Sequence, residues 1–447
     1  MKPPPSYLVI YCSLVLSTFW ALKIRANPWP QWRGPDASGH AHPGNFPVTW
    51  NLNENIKWKA ELPGRGHSSA VHRDGQLWIT TALETPASEE EKEERLKLNE
   101  GLPTVTVLSE VSLRALQINP ETGKVIRDIE VLRKKSPQWV HKLNSYASPT
   151  PVMEGERLYL HFGAFGNACL DAKTGEIIWK NTEEKLWVMH ENGPGSSPLI
   201  WGDFMIFHLD GSDRQSVVAL FKQTGKIAWQ TERSGKLREN PQHKKSYSTP
   251  VVENFNGQPV LLSCGADWVY GYNPKNGKEL WKINYGILGF SNVARPILGN
   301  GMFYLCTGFV KAELHAYRYH NLTTPQLAWK VTKSVPKITS PILVKDQLYV
   351  MSDGGILTCL NAQTGDLVWR ERVGGEFTAA PTYANGLLYF SDRQGKTTVI
   401  EPKDQLIIKA ENVLDGTAHM SSMTPYKESF LLRSQDGLYR IANKRGL

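Results

Sequence analysis

One nine-residue pattern recurs along this chain and constrains its fold more than any other feature. Asp171-Ala-Lys-Thr-Gly-Glu-Ile-Ile-Trp179 returns as Phe221-Lys-Gln-Thr-Gly-Lys-Ile-Ala-Trp229, as Asn273-Pro-Lys-Asn-Gly-Lys-Glu-Leu-Trp281 and as Asn361-Ala-Gln-Thr-Gly-Asp-Leu-Val-Trp369. Asn119-Pro-Glu-Thr-Gly-Lys-Val-Ile-Arg127 is the same unit with its Trp replaced. Thr324-Pro-Gln-Leu-Ala-Trp329 keeps the Trp without the Gly, and Gln405 to Lys409 is a worn copy. In each unit the Gly supplies a positive φ, and the alternation after it sets the Trp on the buried face of a strand. The unit reads as a β-hairpin.

A second element alternates with the first. Ser148-Pro149, Ser197-Pro198, Thr249-Pro250, Arg295-Pro296, Ser340-Pro341 and Ala380-Pro381 each head an apolar stretch, and Ser69-Ala70 and Ser422-Met423 are variants without Pro. That makes eight strand starts. The Trp-equivalent positions (127, 179, 229, 281, 329, 369 and 409) lie 40 to 52 residues apart, the length of a four-stranded propeller blade. Only seven hairpins follow the eight starts, and the chain runs out at Leu438-Tyr-Arg-Ile441. Ile56-Lys-Trp58-Lys supplies the missing strand from the other end. The expected fold is an all-β, eight-bladed propeller over residues 55–447, closed by residues 55–60 so that no sheet edge stays open.

Three stretches stand outside the repeat. Residues 1–26 carry an apolar run from Tyr7 to Leu22, the length of a signal-peptide core and short for a membrane span. They are expected to be a signal peptide or an N-terminal anchor, which places the protein in the periplasm or outside the cell. Residues 27–54 form a Trp- and Pro-rich lead-in without periodicity. Residues 85–99, with Ser88 followed by acidic residues, are expected to form a helical insertion in blade one.

Composition narrows the chemistry. The net charge of +8 is scattered rather than striped, which excludes a nucleic-acid footprint. The cysteines at 12, 169, 264, 306 and 359 are isolated, without metal-ligand or haem spacing, and read as buried thiols. Ser68 and Ser69 beside His67 make no nucleophile elbow, since strand neighbours point to opposite faces. No catalytic or metal-binding residues emerge.

The hairpin and Ser-Pro pattern resembles the PQQ-like repeat shared by eight-bladed quinoprotein alcohol dehydrogenases and BamB-type assembly proteins. Trp29-Pro-Gln-Trp-Arg-Gly-Pro-Asp-Ala-Ser-Gly39 and Pro63-Gly-Arg-Gly-His-Ser-Ser69 resemble exported PQQ-like propellers of planctomycete-type bacteria. The dehydrogenase branch implies PQQ with Ca²⁺, held beside Glu, Asn and Asp under two adjacent cysteines. This chain has no such cysteine pair, and Glu191-Asn192, on the loop before Ser197-Pro198, is a neighbouring pair of the right types. No cofactor is expected, with PQQ and Ca²⁺ the alternative.

In a propeller the segments entering the innermost strands converge on one face around the channel. Those segments carry His67, Tyr146, Glu191, Asn192 and Tyr247, followed by Asn292, Arg295, Lys337, Phe377 and His419. They are the candidate site for a small anionic or sugar-like ligand, with Arg295 needing a counter-charge. The expected function is a monomeric, non-catalytic scaffold binding a protein or polysaccharide partner in the cell envelope. A PQQ-dependent oxidoreductase and a small-ligand or sugar-binding protein are the alternatives.

Overall fold

The computed structural model describes residues 27–97, 104–287, 289–321, 323–414 and 416–444. The expected signal peptide or anchor at 1–26 lies outside the described residues. Eight four-stranded antiparallel sheets make up eight blades. Blade one runs Val71–Arg73, Gln76–Pro86, Leu108–Ile118 and Val125–Lys135 from the innermost strand outward. Blades two to seven repeat the order, opening at Val152–Glu154, Leu199–Trp201, Val251–Phe255, Ile297–Gly299, Ile342–Val344 and Thr382–Ala384. Blade eight takes Thr424–Tyr426, Ser429–Ser434 and Gly437–Ala442 from the C-terminal end, and Ile56–Glu61 as its outer strand. Trp58 pairs with Arg440 and Ala60 with Leu438 across that seam. The ring is closed as the strand count requires.

The repeated Trp and Gly serve one contact. The Trp179 indole donates to the Lys222 carbonyl of the next blade at 2.9 Å, and Trp58, Trp329 and Trp369 reach Pro120, Ala362 and Lys403 in the same way. The turn glycine lies flat beneath the ring. At Gly225, with φ of +71°, a Cβ would stand 2.4 Å from Trp179 Cε3, so the position demands both a left-handed backbone and no side chain. In blade two the preceding Trp is lost, and Gly175 meets Ile129 and Arg127 instead. Where Asp or Asn opens the turn, its side chain fixes it: Asp171 Oδ1 accepts the backbone N–H groups of Lys173 and Thr174, and Asn361 Oδ1 those of Gln363 and Thr364.

Between blades the cores are apolar and aromatic, as where Phe255, Trp281, Phe303 and Tyr317 stack from blade four into blade five. The four cysteines of the propeller are buried free thiols. The insertion holds a short helix, Glu89–Leu96, N-capped by Ser88 and bearing no buried residue. It rides on the two extended strands of blade one, and Arg95 ties it to the Leu108 carbonyl.

The lead-in belongs to the ring. Trp29 exchanges backbone hydrogen bonds with His72, and Met153 N–H donates to the Pro30 carbonyl. The chain then enters the channel, where Trp32 Nε1 donates to Ser422 Oγ at 3.1 Å and Arg33 Nη2 to the Pro341 carbonyl at 3.1 Å. It leaves past Tyr383, burying Phe46 and Trp50 against blades seven and eight. The lead-in plugs the channel, with Trp32 as the plug's inner surface.

Candidate functional site

Above the plug is a cavity of about 500 Å³. Each of the eight segments that enter an innermost strand contributes to its wall. Successive blades supply His67, His141, Asn192, Lys245, Phe290, Ile338, Thr378 and Met420, with Trp32 at the floor. The opposite end of the channel is filled by the lead-in, so the cavity is blind.

Of the ten residues singled out by sequence, His67, Asn192 and Tyr247 line this cavity. Four of the others miss it by one position. Lys337, Phe377 and His419 are replaced on the wall by Ile338, Thr378 and Met420, and Asn292 by its neighbours Ser291 and Val293. These entering segments are bends and irregular backbone, so a neighbouring residue takes the wall position while the one read from sequence turns elsewhere. Phe377 packs into the core between blades six and seven, and Asn292 Nδ2 donates to the Gly265 carbonyl and to Tyr285 Oη. His419 is buried. Lys337 stays at the rim, with Nζ 5.6 Å from the Phe309 ring centroid. Tyr146 turns into the core between blades one and two, where its hydroxyl donates to the Gln138 carbonyl.

The basic groups that line the cavity are paired or held uncharged by burial. Lys245 Nζ donates to Glu191 Oε2 and to Gln242 Oε1, both at 2.5 Å, and Arg393 pairs with Glu376 at 2.8 Å. Burial lowers the Lys245 ammonium pKa, with Glu191 opposing. Burial, aided by Arg65 and Arg433, pushes the His67 imidazole down to about 3, so it is uncharged at neutral pH. With its carboxylate on Lys245, Glu191 is not presented to a metal ion. Among the described residues no group of three or more His, Cys, Asp or Glu is placed to hold one. The donor set does not fit a calcium–quinone centre.

Deeper, the charge picture reverses. Arg33, Arg295 and Arg433 are buried beside the channel, and among the described residues none has a carboxylate in contact. Among the described residues the only counter-charge Arg295 feels is Asp36, at longer range than a contact, and carbonyls fill its hydrogen bonds: Nη2 donates to Pro250 at 3.1 Å and Nη1 to Trp32 at 3.5 Å, while Nε has no partner. Arg433 Nη1 donates to Ser68 O, Ser68 Oγ and Thr80 O. Burial lowers all three guanidinium pKa values, to about 9 for Arg33 and Arg433 and about 10 for Arg295.

Between these arginines and the cavity runs a belt that sequence reasoning missed. Ser69 N–H donates to Thr150 Oγ1, Thr150 N–H to Ser197 Oγ, and Ser197 N–H to Thr249 Oγ1, at 2.9 to 3.0 Å. Arg295 N–H donates to Ser340 Oγ, Ala380 N–H to Ser422 Oγ, and Ser422 N–H to Ser69 Oγ, at 3.0 to 3.1 Å. One residue per blade takes part, and the two breaks fall where Arg295 and Ala380 lack a hydroxyl. The signal was a hydroxyl residue at the head of six of the eight inner strands: Thr150, Ser197, Thr249 and Ser340 stand before Pro, and Ser69 and Ser422 before Ala70 and Met423. In blade two the belt position is Thr150, before Pro151, two residues beyond the Ser148-Pro149 read as the strand head.

An eight-bladed ring with Trp–Gly docking between blades defines a PQQ-like repeat propeller. The chain belongs to that family: the family model described as outer membrane protein assembly factor BamB matches residues 76–231, 114–321 and 319–407. A curated BamB of Legionella pneumophila is 25% identical over 203 residues, covering 45% of this chain and 49% of the relative. A BamB of Yersinia pestis is 22% identical over 300 residues, 61% of this chain and 70% of the relative. The match thus spans about half of the Legionella protein. The crystal structure of BamB from Moraxella catarrhalis superposes with a TM-score of 0.56 at 14% identity, covering 88% of this chain and 98% of that one. A europium-containing methanol dehydrogenase gives 0.50 at 10% identity, covering 92% and 90%. At such identities the superpositions speak for the fold alone.

Proposed function

We propose that this chain is a non-catalytic scaffold of the cell envelope, in the periplasm, that docks a protein taking part in outer-membrane protein assembly. The observation that carries the reading is the asymmetry of the ring. One face is closed by the chain's own lead-in, while the other gathers the entering segments of all eight blades. The rim of that open face exposes Ile287, Phe309 and Val310 beside the solvent-facing lysines Lys311, Lys333 and Lys337. An apolar patch ringed by charge is the composition of a protein-docking surface rather than of an idle loop. Family membership supports the same reading.

The test is purification of the full chain from its own cell envelope under gentle solubilisation, with mass spectrometry and absorbance on the product. The expected product is a stoichiometric complex with an integral outer-membrane assembly protein and no visible chromophore. A chain that purifies alone with a bound quinone chromophore would overturn the proposal in favour of an oxidoreductase.

A further inference from the structure

The belt does more than join blades. Each of its six hydroxyl oxygens is already engaged as an acceptor of a neighbouring backbone N–H. Among the described residues none of the six has an acceptor for its own proton. Ser69, Thr150, Ser197, Thr249 and Ser422 line the cavity, so their O–H groups are donors turned toward one space. A hydroxyl free to rotate serves either as donor or acceptor; one whose oxygen is taken serves best as donor.

The charge behind the belt points the same way. Arg295 occupies a belt position with an unpartnered Nε, and Arg33 beside it has an unpartnered Nη1. Arg433 is bonded to Ser68, next to Ser69. Three buried guanidinium groups without a carboxylate in contact, two of them answered by the single charge of Asp36 at longer range, leave the floor of the cavity net positive. The upper wall is mixed: Leu143, Phe290, Phe309, Ile338 and Met420 add apolar surface on one part of it, while His67, His141, Asn192 and Lys245 line the rest.

We infer that the blind cavity is a binding site for a small organic acid with an aliphatic body, its carboxylate set on the hydroxyl belt and its tail against the apolar part of the upper wall. The carboxylate offers only acceptors to a floor that offers donors, and its charge answers the arginines. A neutral ligand of the same shape fills the same wall but leaves the donors unanswered. The site shares only Phe309 with the docking rim, and its test stands or falls separately from that of the docking reading.

The test is calorimetric titration of the full chain with octanoate, octanamide and octylammonium, which share a tail and differ in head charge. Octanoate is expected to bind about tenfold more tightly than octanamide, with octylammonium weaker still. Thr249→Val and Ser197→Ala, each removing one belt hydroxyl, are expected to weaken octanoate by about fivefold and leave octanamide unchanged. Thermal unfolding checks that each variant folds, and either one suffices. Octanamide binding as tightly as octanoate, octanoate binding indifferent to both variants, or no binding of octanoate at all would overturn the assignment.

Discussion

The backbone N–H of Ser422 donates to the hydroxyl of Ser69 at 3.1 Å, joining the last blade to the first at the channel wall. At the outer edge the same seam is closed by the pairing of Ile56–Glu61 with Gly437–Ala442. The ring is therefore fastened twice, once by a hydroxyl and once by a strand. Removing the inner fastening by Ser69→Ala strands a buried N–H and is expected to cost about 1–3 kcal/mol, measured by denaturant unfolding. The converse substitution fills a natural break. Ala380→Ser places an acceptor before the Ser340 N–H and is expected to stabilise by about 0.5–1.5 kcal/mol.

The outer fastening has its own anchor. Glu121, on the hairpin turn of blade one, accepts from Lys57 at 3.0 Å, Arg440 at 2.8 Å and Lys427 at 2.7 Å. Partial burial opposes ionisation, but these hydrogen bonds hold its carboxyl well below the usual range. Glu121→Gln is expected to cost only about 1 kcal/mol, because the carboxylate is half exposed and screened. The loss should shrink in high salt. Hydrogen exchange should rise in Ile56–Glu61 and Gly437–Ala442 and stay unchanged in blades three to five.

Between blades the Trp–Gly contact sets the tolerance. Gly225→Ala meets both a φ of +71° and the Trp179 ring, and is expected to destabilise by about 2–4 kcal/mol. Gly155, with φ of +56° and nothing within 4 Å of where a Cβ would stand, meets backbone strain alone. Gly155→Ala is expected to cost about 1 kcal/mol. Equal losses at the two sites, by the same unfolding measurement, would remove the Trp contact from the explanation.

Much of this architecture was legible in the sequence because each blade repeats its own turn. Thr-Gly with a following Trp reports a left-handed turn and a buried indole together, and counting the copies exposed the missing strand at Ile56. The site was less legible for a geometric reason. His67, Asn192 and Tyr247 line the cavity, but Lys337, Phe377 and His419 sit one residue from the lining positions Ile338, Thr378 and Met420. These entering segments lie outside the strands, so no period fixes which of two neighbours faces the cavity. The plug was hidden because Trp32 and Arg33 lie in a segment with no period to read. Their partners, Ser422 and Pro341, are some three hundred residues or more away.

Sensitivity to acid follows from histidines buried without charge. Burial drives His161 and His72 down to about 4 and His190 to about 3, with weaker opposing help to His161 from Asn167 and to His72 from the Pro425 carbonyl. Their folded values lie below the unfolded value of about 6.5, so the unfolded chain binds more protons as pH falls. Stability is full above pH 6.5 and is lost progressively toward pH 4. Thermal unfolding at pH 7.5 and pH 4.5 should show the fall, and His161→Gln should reduce it by about 1–3 kcal/mol. A pH-independent midpoint over that window would contradict the assignment.

The central claim is that the open face meets a protein partner while the plugged side does not. The direct measurement is site-specific photo-crosslinking in the intact envelope, with the reactive group at Val310 on the open rim or at Asp346 in the turn after the inner strand of blade six. The expected result is a single adduct from Val310, identified as an outer-membrane assembly protein, and none from Asp346. Adducts from Asp346 with none from Val310 would contradict it.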